Sequence, residues 1–443
     1  VGLTSTLVRL AAGAPVRCFV IVGDGADEAA QWLRLDPALR VVDSPRSAEV
    51  LLVLGRFEDA AMSAVAAVHD SMAPPRAVVT WVPGSPAPAA STLAGAVSVD
   101  DPLEIGSAAV LTRDDLFAGR LASTPDILPD VDPAPWRGVG PFGQGGAGMT
   151  GGVPYGRPLA GRADDRDGLK LDQILVRVGP FLPPLPAGLE LDVKIQGDVI
   201  QEVGLPSPPR SWPRGRADAW SRGRDLFIAA LTQPVLVREL ELARARRNLV
   251  WLAEFLRVCG LPAYGLRVLA LARTLRPDGT NELERVARRL LRNRSLRWPT
   301  RKVGVLSAEQ AQRLPGGPAA RAAGIPVDAR TQDPAYTRLG FSPVVATGSD
   351  AHARWRLHLD DARQALALAN EAQSALTTPV GVVEGPFGPI GPAIPAAGAI
   401  LVEMLPELLV GQEWGDAVMT VVSLDIDPAH AWTTASPVGG ESA

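Results

Sequence analysis

Cysteine and histidine are scarce in this chain, with two and four in 443 residues. Cys18 and Cys259 stand far apart, so there is no CxxC pair, no Cys/His cluster and no disulfide framework beyond a single bridge. A structural zinc needs four nitrogen or sulfur ligands close together, and an iron–sulfur cluster is usually held by four thiolates. Neither centre assembles here from the usual spacings. Charge of one sign is not in excess: 44 basic against 48 acidic side chains give a net charge of −4, which argues against a nucleic-acid-binding surface as the main business of the protein. Lysine is confined to Lys170, Lys194 and Lys302, and the remaining bases are arginine. Long apolar runs are also missing. The uncharged stretch Gly385–Val402 carries Pro386, Pro389, Pro392 and Pro395 and cannot span a membrane as a helix. The N-terminal apolar run is short and bounded by Arg9 and Arg17, unlike a signal peptide, so a cytoplasmic protein is expected, with membrane attachment only through a partner.

What is present suits a globular chain. Hydrophobic residues make up 47%, and at one domain per ~150 residues the length accommodates two large domains or three smaller ones. Cys18–Val22, Val50–Leu54 and Ala77–Trp81 are short, β-branched and bounded by Gly, Pro or charge, which predicts buried parallel strands. Glu58–Asp70 has helical spacing and forms the crossover between two of them. Residues 1–125 are therefore expected to form a small α/β parallel-sheet sandwich. Residues 126–168 are rich in Gly and Pro and read as a linker; its GQGGAGMTGG run follows no strand and opens no helix, so it is not a phosphate loop.

Residues 169–443 are expected to form a mainly α domain entered by a β-hairpin. The alternation through Leu189, Leu191, Val193 and Ile195, with a turn at Gly197–Asp198, predicts that hairpin. A long helix follows over 235–260, stopped by Gly260 and Pro262, then a second over Ala263–Leu275. Asn281 and Glu284 form a possible capping pair for a helix through Arg292. Ser349 is placed to cap Asp350–Leu376, and Ile400–Val421 closes the set, with Pro406 breaking or starting its main helix.

Three stretches carry a family resemblance. SPRSAEVLLVLGR (44–56) with PPRAVVTWVPGS (74–85) resembles the small, cluster-carrying subunit shared by respiratory complex I and the membrane-bound nickel–iron hydrogenases. RELELARARRNLVWLAEFL (238–256) resembles the long helix of the large subunit of the same complexes. VGVLSAEQA (303–311), GIPVDAR (324–330) and TGSDAHARWRLHLDDARQAL (347–366) continue that match in order, and LPELL (405–409) with VVSLDIDPAHAW (421–432) falls where the family carries its C-terminal motif. The resemblance implies a fusion of a small-subunit-like to a large-subunit-like domain.

It also implies chemistry whose residues are missing. The small subunit's cluster takes a thiolate from the loop after the third strand, which reads Val82-Pro83-Gly84-Ser85 here. Cys18 lies inside the first strand, as a buried inert thiol would. The hydrogenase ligand motif Asp-Pro-Cys-x-x-Cys is met by Asp427-Pro428-Ala429-His430-Ala431-Trp432, so Ala429 and Trp432 stand at vestigial metal-ligand positions. The complex I quinone-facing motif Gly-Pro-Gln-His-Pro is met by Gly179-Pro180-Phe181-Leu182-Pro183, leaving Leu182 at a vestigial quinone position. Asp350, Arg354, Arg363 and Gln364 match the family's long helix, His358 stands where the family has Arg, and Asp425 lies in its Ser-Leu-Asp; these are assigned structural roles, with Asp350 and Arg354 able to pair at i,i+4. His430 beside Asp427 is either a general base or part of a packed turn. His352 and His358 lie on different helix faces and make no metal pair, and His69 suits the negative end of its helix.

No catalytic residue, metal or cofactor of its own is assigned, and whether the chain is an enzyme is left open. The expectation is a fused subunit of a complex I-like or energy-converting-hydrogenase-like assembly, serving assembly or coupling. Its partners are other subunits of a membrane-bound redox complex, one of them membrane-embedded, and its place is peripheral on the inner face of the cell membrane. The alternatives are a working quinone- or hydrogenase-type oxidoreductase subunit and a free-standing small-molecule-binding protein on the same fold. The junction of the two domains is expected to be filled by side chains or pressed against the membrane partner.

Overall fold

A computed structural model describes residues 13–84, 93, 95–129, 161–165, 168–206 and 225–427. Most of the 126–168 linker, and Ala429, His430 and Trp432, lie outside the described residues. The first unit is a five-stranded parallel sheet, order β2-β1-β3-β4-β5, built from β1 Val16–Val22, β2 Leu39–Val41, β3 Val50–Leu54, β4 Ala77–Trp81 and β5 Val97–Val99. Every side chain of β3 is buried, which explains its unbroken apolar run: helices cover both faces of a parallel sheet. Those helices include α1 Asp27–Trp32, α2 Asp59–Ser71 and α3 Ile105–Phe117. Residues 126–129 stay on this unit. The Asp70 carboxylate accepts from the backbone N–H groups of Ile127 and Leu128, and Arg76 pairs with Asp126.

The second unit opens with more than a hairpin. Strands β6 Gly161–Asp164, β7 Lys170–Val178, β8 Leu191–Gln196 and β9 Val199–Gly204 form an antiparallel sheet in sequence order. Its apolar face, including Val178, Leu191, Val193 and Ile200, packs with helix α8 below. The helical body consists chiefly of α4 Val237–Val258, α5 Pro262–Thr274, α6 Thr280–Arg292, α7 Ala351–Glu371, α8 Ala397–Leu409 and α9 Trp414–Ser423. Its core interlocks α4, α5 and α7 around Leu252, Phe255, Leu269, Trp355 and Leu359.

Four local expectations are corrected. Asp350, not Ser349, caps α7: its carboxylate accepts from Ala353 N at 2.8 Å, while Ser349 takes φ 48°. Asn281 lies inside α6, whose N-cap is Gly279, so the proposed capping pair does not form. Pro406 sits within α8, and the break comes after Leu409. The Arg354 guanidinium does not pair with the Asp350 carboxylate at i,i+4; only their backbones join, Arg354 N donating to Asp350 O at 3.0 Å. The guanidinium turns inward and donates to Ser349 O, Gly304 O and Ser423 Oγ at 2.9, 2.7 and 3.0 Å.

Candidate functional site

In an open parallel sheet ligands bind beyond the carboxyl ends of the strands where the strand order reverses, here between β1 and β3. Those ends carry Gly23 and Gly55. A Cβ on Gly23 would lie 2.5 Å from Arg56 O and 2.7 Å from the Phe57 ring, and one on Gly25 would meet the Pro83 ring at 2.7 Å. Asp24 and Arg56 form an isolated antiparallel bridge across the opening, and the Arg56 guanidinium donates to Pro83 O at 2.5 Å. The crevice is thus closed by Arg56, Phe57 and Pro83. The residues present do not fit a thiolate-held cluster: no cysteine lies at these strand ends. Cys18 is buried within β1, its thiol pushed up to about 12 chiefly by burial and donating weakly to Val16 O. Cys259, at the end of α4, is likewise raised to about 12 by burial. Among the described residues no group of three or more His, Cys, Asp or Glu is placed to hold a metal ion.

The loop Gly179–Gly188 ties this crevice to the second unit. Gly179 has φ 95°, and a Cβ there would sit 1.9 Å from Leu189 O, so only glycine fits. Phe181 is 8% exposed and inserts into the apolar face formed by Phe19, Ile21 and Val53 of the first unit, meeting Phe57 edge-on with ring centroids 6.0 Å apart. Leu185, four residues on, is buried in the core of the second unit. Leu182 lies between them, 39% exposed, and faces a cleft.

That cleft corrects one arm of the expectation, a junction filled by side chains; the other arm, a membrane partner pressed against it, is not addressed by the chain alone. It has a volume of about 890 Å³ and runs between the ends of β1 and β2 on one side and α4 and α5 on the other. Side-chain filling is confined to the Phe181 end. The cleft walls are apolar at Val20, Val41, Leu182, Trp251 and Leu269, and its charges are compensated in the wall. Arg257 bridges the two units, donating to Asp43 at 2.7 Å and to Glu254 at 2.5 Å. Burial works to raise Glu254, but the Arg257 hydrogen bond and the charges of Arg34 and Arg257 outweigh it and hold the carboxyl below its ordinary range. Arg247 pairs with Asp425 at 2.6 Å and lies over the Phe387 ring at 4.7 Å.

A second constellation lies wholly inside the helical body. Arg321 makes a bidentate pair with Asp361 at 2.8 and 2.7 Å, and Arg330 pairs with Asp328 at 3.0 and 2.7 Å and with Glu241 at 3.1 Å. Arg244 donates to Glu241 and to the Glu384 carbonyl, and the Tyr336 hydroxyl donates to Glu241 at 2.7 Å. All seven charged side chains are buried. Four carboxylates face three guanidinium groups. Glu384 takes one hydrogen bond, from Ala329 N at 2.9 Å, and its Oε1 has no partner. Burial first, then the charge of Asp328, raises Glu384 to about 7 against the opposing pull of Arg321, the Ala329 N–H and Arg244.

The residues singled out in the sequence are distributed around these features. Asp425 and Leu182 line the cleft. Asp350 caps α7 and also accepts from Lys302 N, and Arg363 pairs with Glu284 and Asp360. Gln364 donates to Ser342 O. Arg354 is buried and pushed down to about 9 by burial, opposed by Asp350. His358 stacks on Trp251 at 3.7 Å and pairs with Asn248, held well below its ordinary value first by burial and then by Arg247, Arg321 and Arg354. His69 is buried between Asp70 and Thr124. The sequence reading missed Arg321 and Glu384; Glu241, Arg244, Asp328, Arg330 and Asp361 lay within the quoted stretches without a role assigned.

Comparison with known proteins places the similarity in this second half. Residues 266–387 match the family described as respiratory-chain NADH dehydrogenase, 49 Kd subunit. A D-type subunit of NADH-quinone oxidoreductase from Rhizobium etli (strain CIAT 652) is 33% identical over 110 residues, 24% of this chain and 26% of that protein. The equivalent D-type protein of Salinispora arenicola (strain CNS-205) is 36% identical over 103 residues, 23% of this chain and 27% of its own length. The match therefore spans about a quarter of these curated relatives. Among solved structures, a chain of the membrane-bound sulfane sulfur reductase, an archaeal respiratory membrane complex, covers 59% of this chain and 98% of itself at 17% identity, with a TM-score of 0.38, too low to establish a common fold. Of the buried ionic network, Arg321, Asp328, Arg330, Asp361 and Glu384 fall within the matched residues, and Glu241 and Arg244 precede them. The chain thus contains a region similar to the large, 49 Kd subunit of complex I.

Proposed function

We propose that this chain is a subunit of a complex I-like redox assembly in which a small-subunit-like unit, extended by residues 126–129 beyond the expected boundary at 125, is joined to a large-subunit-like unit that begins with β6 at Gly161 and not at 169, and that it works in assembly or coupling, its own redox positions being lost. The observation that carries the reading is a contrast within the chain. The large-subunit-like region contains a buried ionic network, while the crevice and loop where redox chemistry would sit present Arg56, Phe57, Pro83 and Leu182. Leu182 neither donates nor accepts a hydrogen bond, so it supplies no proton to a bound headgroup. The partners in this reading are the other subunits of a membrane-bound complex, including a membrane-embedded one, and the chain sits peripherally on the inner face of the cell membrane. No helix of the described residues is long and apolar enough to cross a membrane, in keeping with attachment through a partner. The test is affinity purification from detergent-solubilised membranes with mass spectrometry, for the wild type and Leu182→Asp. Recovery of membrane-embedded redox subunits, weakened by the substitution, supports the reading; a chain recovered alone overturns it.

The cleft of about 890 Å³ favours a second reading, a small-molecule-binding protein on the same fold. Saturable binding of an apolar ligand by the isolated chain, abolished by Leu182→Trp and with no copurifying subunits, would establish it instead.

A further inference from the structure

The chain carries an excess of acid overall, yet one face collects base. From Arg285 to Lys302 the sequence contains Arg285, Arg288, Arg289, Arg292, Arg294, Arg297, Arg301 and Lys302 and no Asp or Glu. The spacing of the first four places them on one side of α6, while Leu283, Ala287 and Leu290 are buried on the other. All of these bases except Arg297 are exposed. Arg285 and Arg288 donate only to backbone carbonyls of Asn281 and Glu284. The nearby Glu284 carboxylate is taken by Arg363 at 2.6 and 3.0 Å. No ion pair joins any of the eight bases to a carboxylate among the described residues. Arg356 is exposed on the adjoining turn of α7, and its field reaches the same spot: burial lowers His352, Asp350 opposes, and Arg356, Arg301 and Arg297 lower it further.

At the apex of this face stands Trp298, 73% exposed, followed by exposed Pro299. The segment is held in place rather than loosely packed. Leu296 and Thr300 on either side are buried; Thr300 Oγ1 donates to Leu296 O at 2.8 Å and accepts from Trp355 Nε1 at 3.2 Å, and Thr300 O accepts from His352 N at 2.9 Å. The indole is thus presented outward by two anchors that are themselves part of the core.

We propose that this face, α6 with the Arg294–Lys302 segment, docks on an anionic lipid surface, the arginines meeting lipid phosphates and Trp298 entering the headgroup layer. Guanidinium groups pair with phosphate oxygens in a fork geometry. Tryptophan has an apolar body and a polar edge suited to the membrane–water interface. Basic side chains beside a membrane are drawn to anionic lipid, and the attraction decays within a Debye length. A net charge of −4 repels an extended polyanion from the rest of the surface, which favours a flat contact confined to one face over wrapping by nucleic acid. The inference stands apart from the functional reading above, since it needs no membrane-embedded partner.

The experiment is flotation of the purified full chain with vesicles of phosphatidylcholine alone or of phosphatidylcholine with phosphatidylglycerol, at low and high salt. Two variants are compared, Trp298→Ala and the combined Arg288→Gln, Arg289→Gln, Arg292→Gln, Arg294→Gln; circular dichroism checks their folding. The expected result is binding to the anionic vesicles only, lost at high salt, reduced about tenfold or more in the arginine variant and several-fold in Trp298→Ala. Heparin retention, a probe without a lipid interface, is expected to fall in the arginine variant and stay unchanged in Trp298→Ala. Absence of binding to anionic vesicles at low salt would overturn the proposal. So would equal loss of vesicle and heparin binding with no effect of Trp298→Ala, which would mark the face as a site for a soluble acidic partner. Because no other subunit is present, failure here leaves the copurification test untouched.

Discussion

The two interiors of this molecule differ in how much charge they bury and how they pair it. Apart from His69, Arg76 and Arg113, the parallel-sheet unit is closed chiefly with apolar side chains, down to the crevice at its strand ends, where Phe57 and Phe181 meet. The helical unit buries a network of seven charged side chains and satisfies most of them against one another. Charge is expensive to bury and persists only where partners are complete. Apolar closure needs no partner of fixed geometry. The residues that match the 49 Kd subunit family, 266–387, include five of the seven members of the ionic network.

The largest expected effect comes from removing one partner of a buried ion pair. Asp361→Asn leaves Arg321 buried without its bidentate acceptor, and the expected loss is about 3–5 kcal/mol of folding free energy in the helical unit, measured by urea denaturation. Fluorescence of the α4 and α7 tryptophans reports on that unit from within its core. An arginine side chain stays protonated in proteins, so the guanidinium remains charged in the variant and the defect is not relieved by neutralisation. In the apolar half, Phe181→Ala removes the ring that joins the two units and should cost about 3 kcal/mol, with faster proteolysis of the first unit. A loss no greater than that of a surface substitution would mean that the junction is not held by this ring.

pH should separate the two interiors as well. Glu384 sits at about 7, above an ordinary carboxyl of ~4.3. Between these values the folded protein holds a proton that the unfolded chain has released. Glu384 therefore favours folding most fully below about pH 4.3 and loses that contribution as pH rises through about 7, to the extent of about 3 kcal/mol. Glu384→Gln keeps an acceptor for Ala329 N and matches three carboxylates to three guanidinium groups. It should stabilise the protein at pH 8 and flatten the decline between pH 5 and 8; an unchanged pH profile would show that Glu384 is already ionised in the fold.

How much of this is legible in the sequence follows from segment length and sequence separation. Strands β1, β3 and β4 announce themselves as β-branched runs of five or more residues, and Gly197–Asp198 marks the β8–β9 turn. Strands β2 and β5 have three residues each, too few for any period to show. β7 is hidden for another reason: its exposed residues fall on both faces, so alternation is blurred. Asp350 stands out in the sequence, but the i,i+4 rule assigns it the wrong group, because that rule describes exposed helix faces and Arg354 is turned into the core. The Arg321–Asp361 contact joins residues 40 apart, and Arg330–Glu241 joins residues 89 apart. No local pattern encodes such pairs. The cleft is equally hidden: Leu182 and its prolines read as filling, whereas only Phe181 inserts and Leu182 is left at the cleft wall.

The proposal that this chain holds no redox centre of its own is tested most directly by elemental and acid-labile sulfide analysis of the purified full chain. The expected result is no stoichiometric iron, nickel or sulfide, because Cys18 is buried in β1, Cys259 stands at the end of α4 and the strand-end crevice is closed by Arg56, Phe57 and Pro83. Stoichiometric iron with sulfide, or stoichiometric nickel, would contradict it.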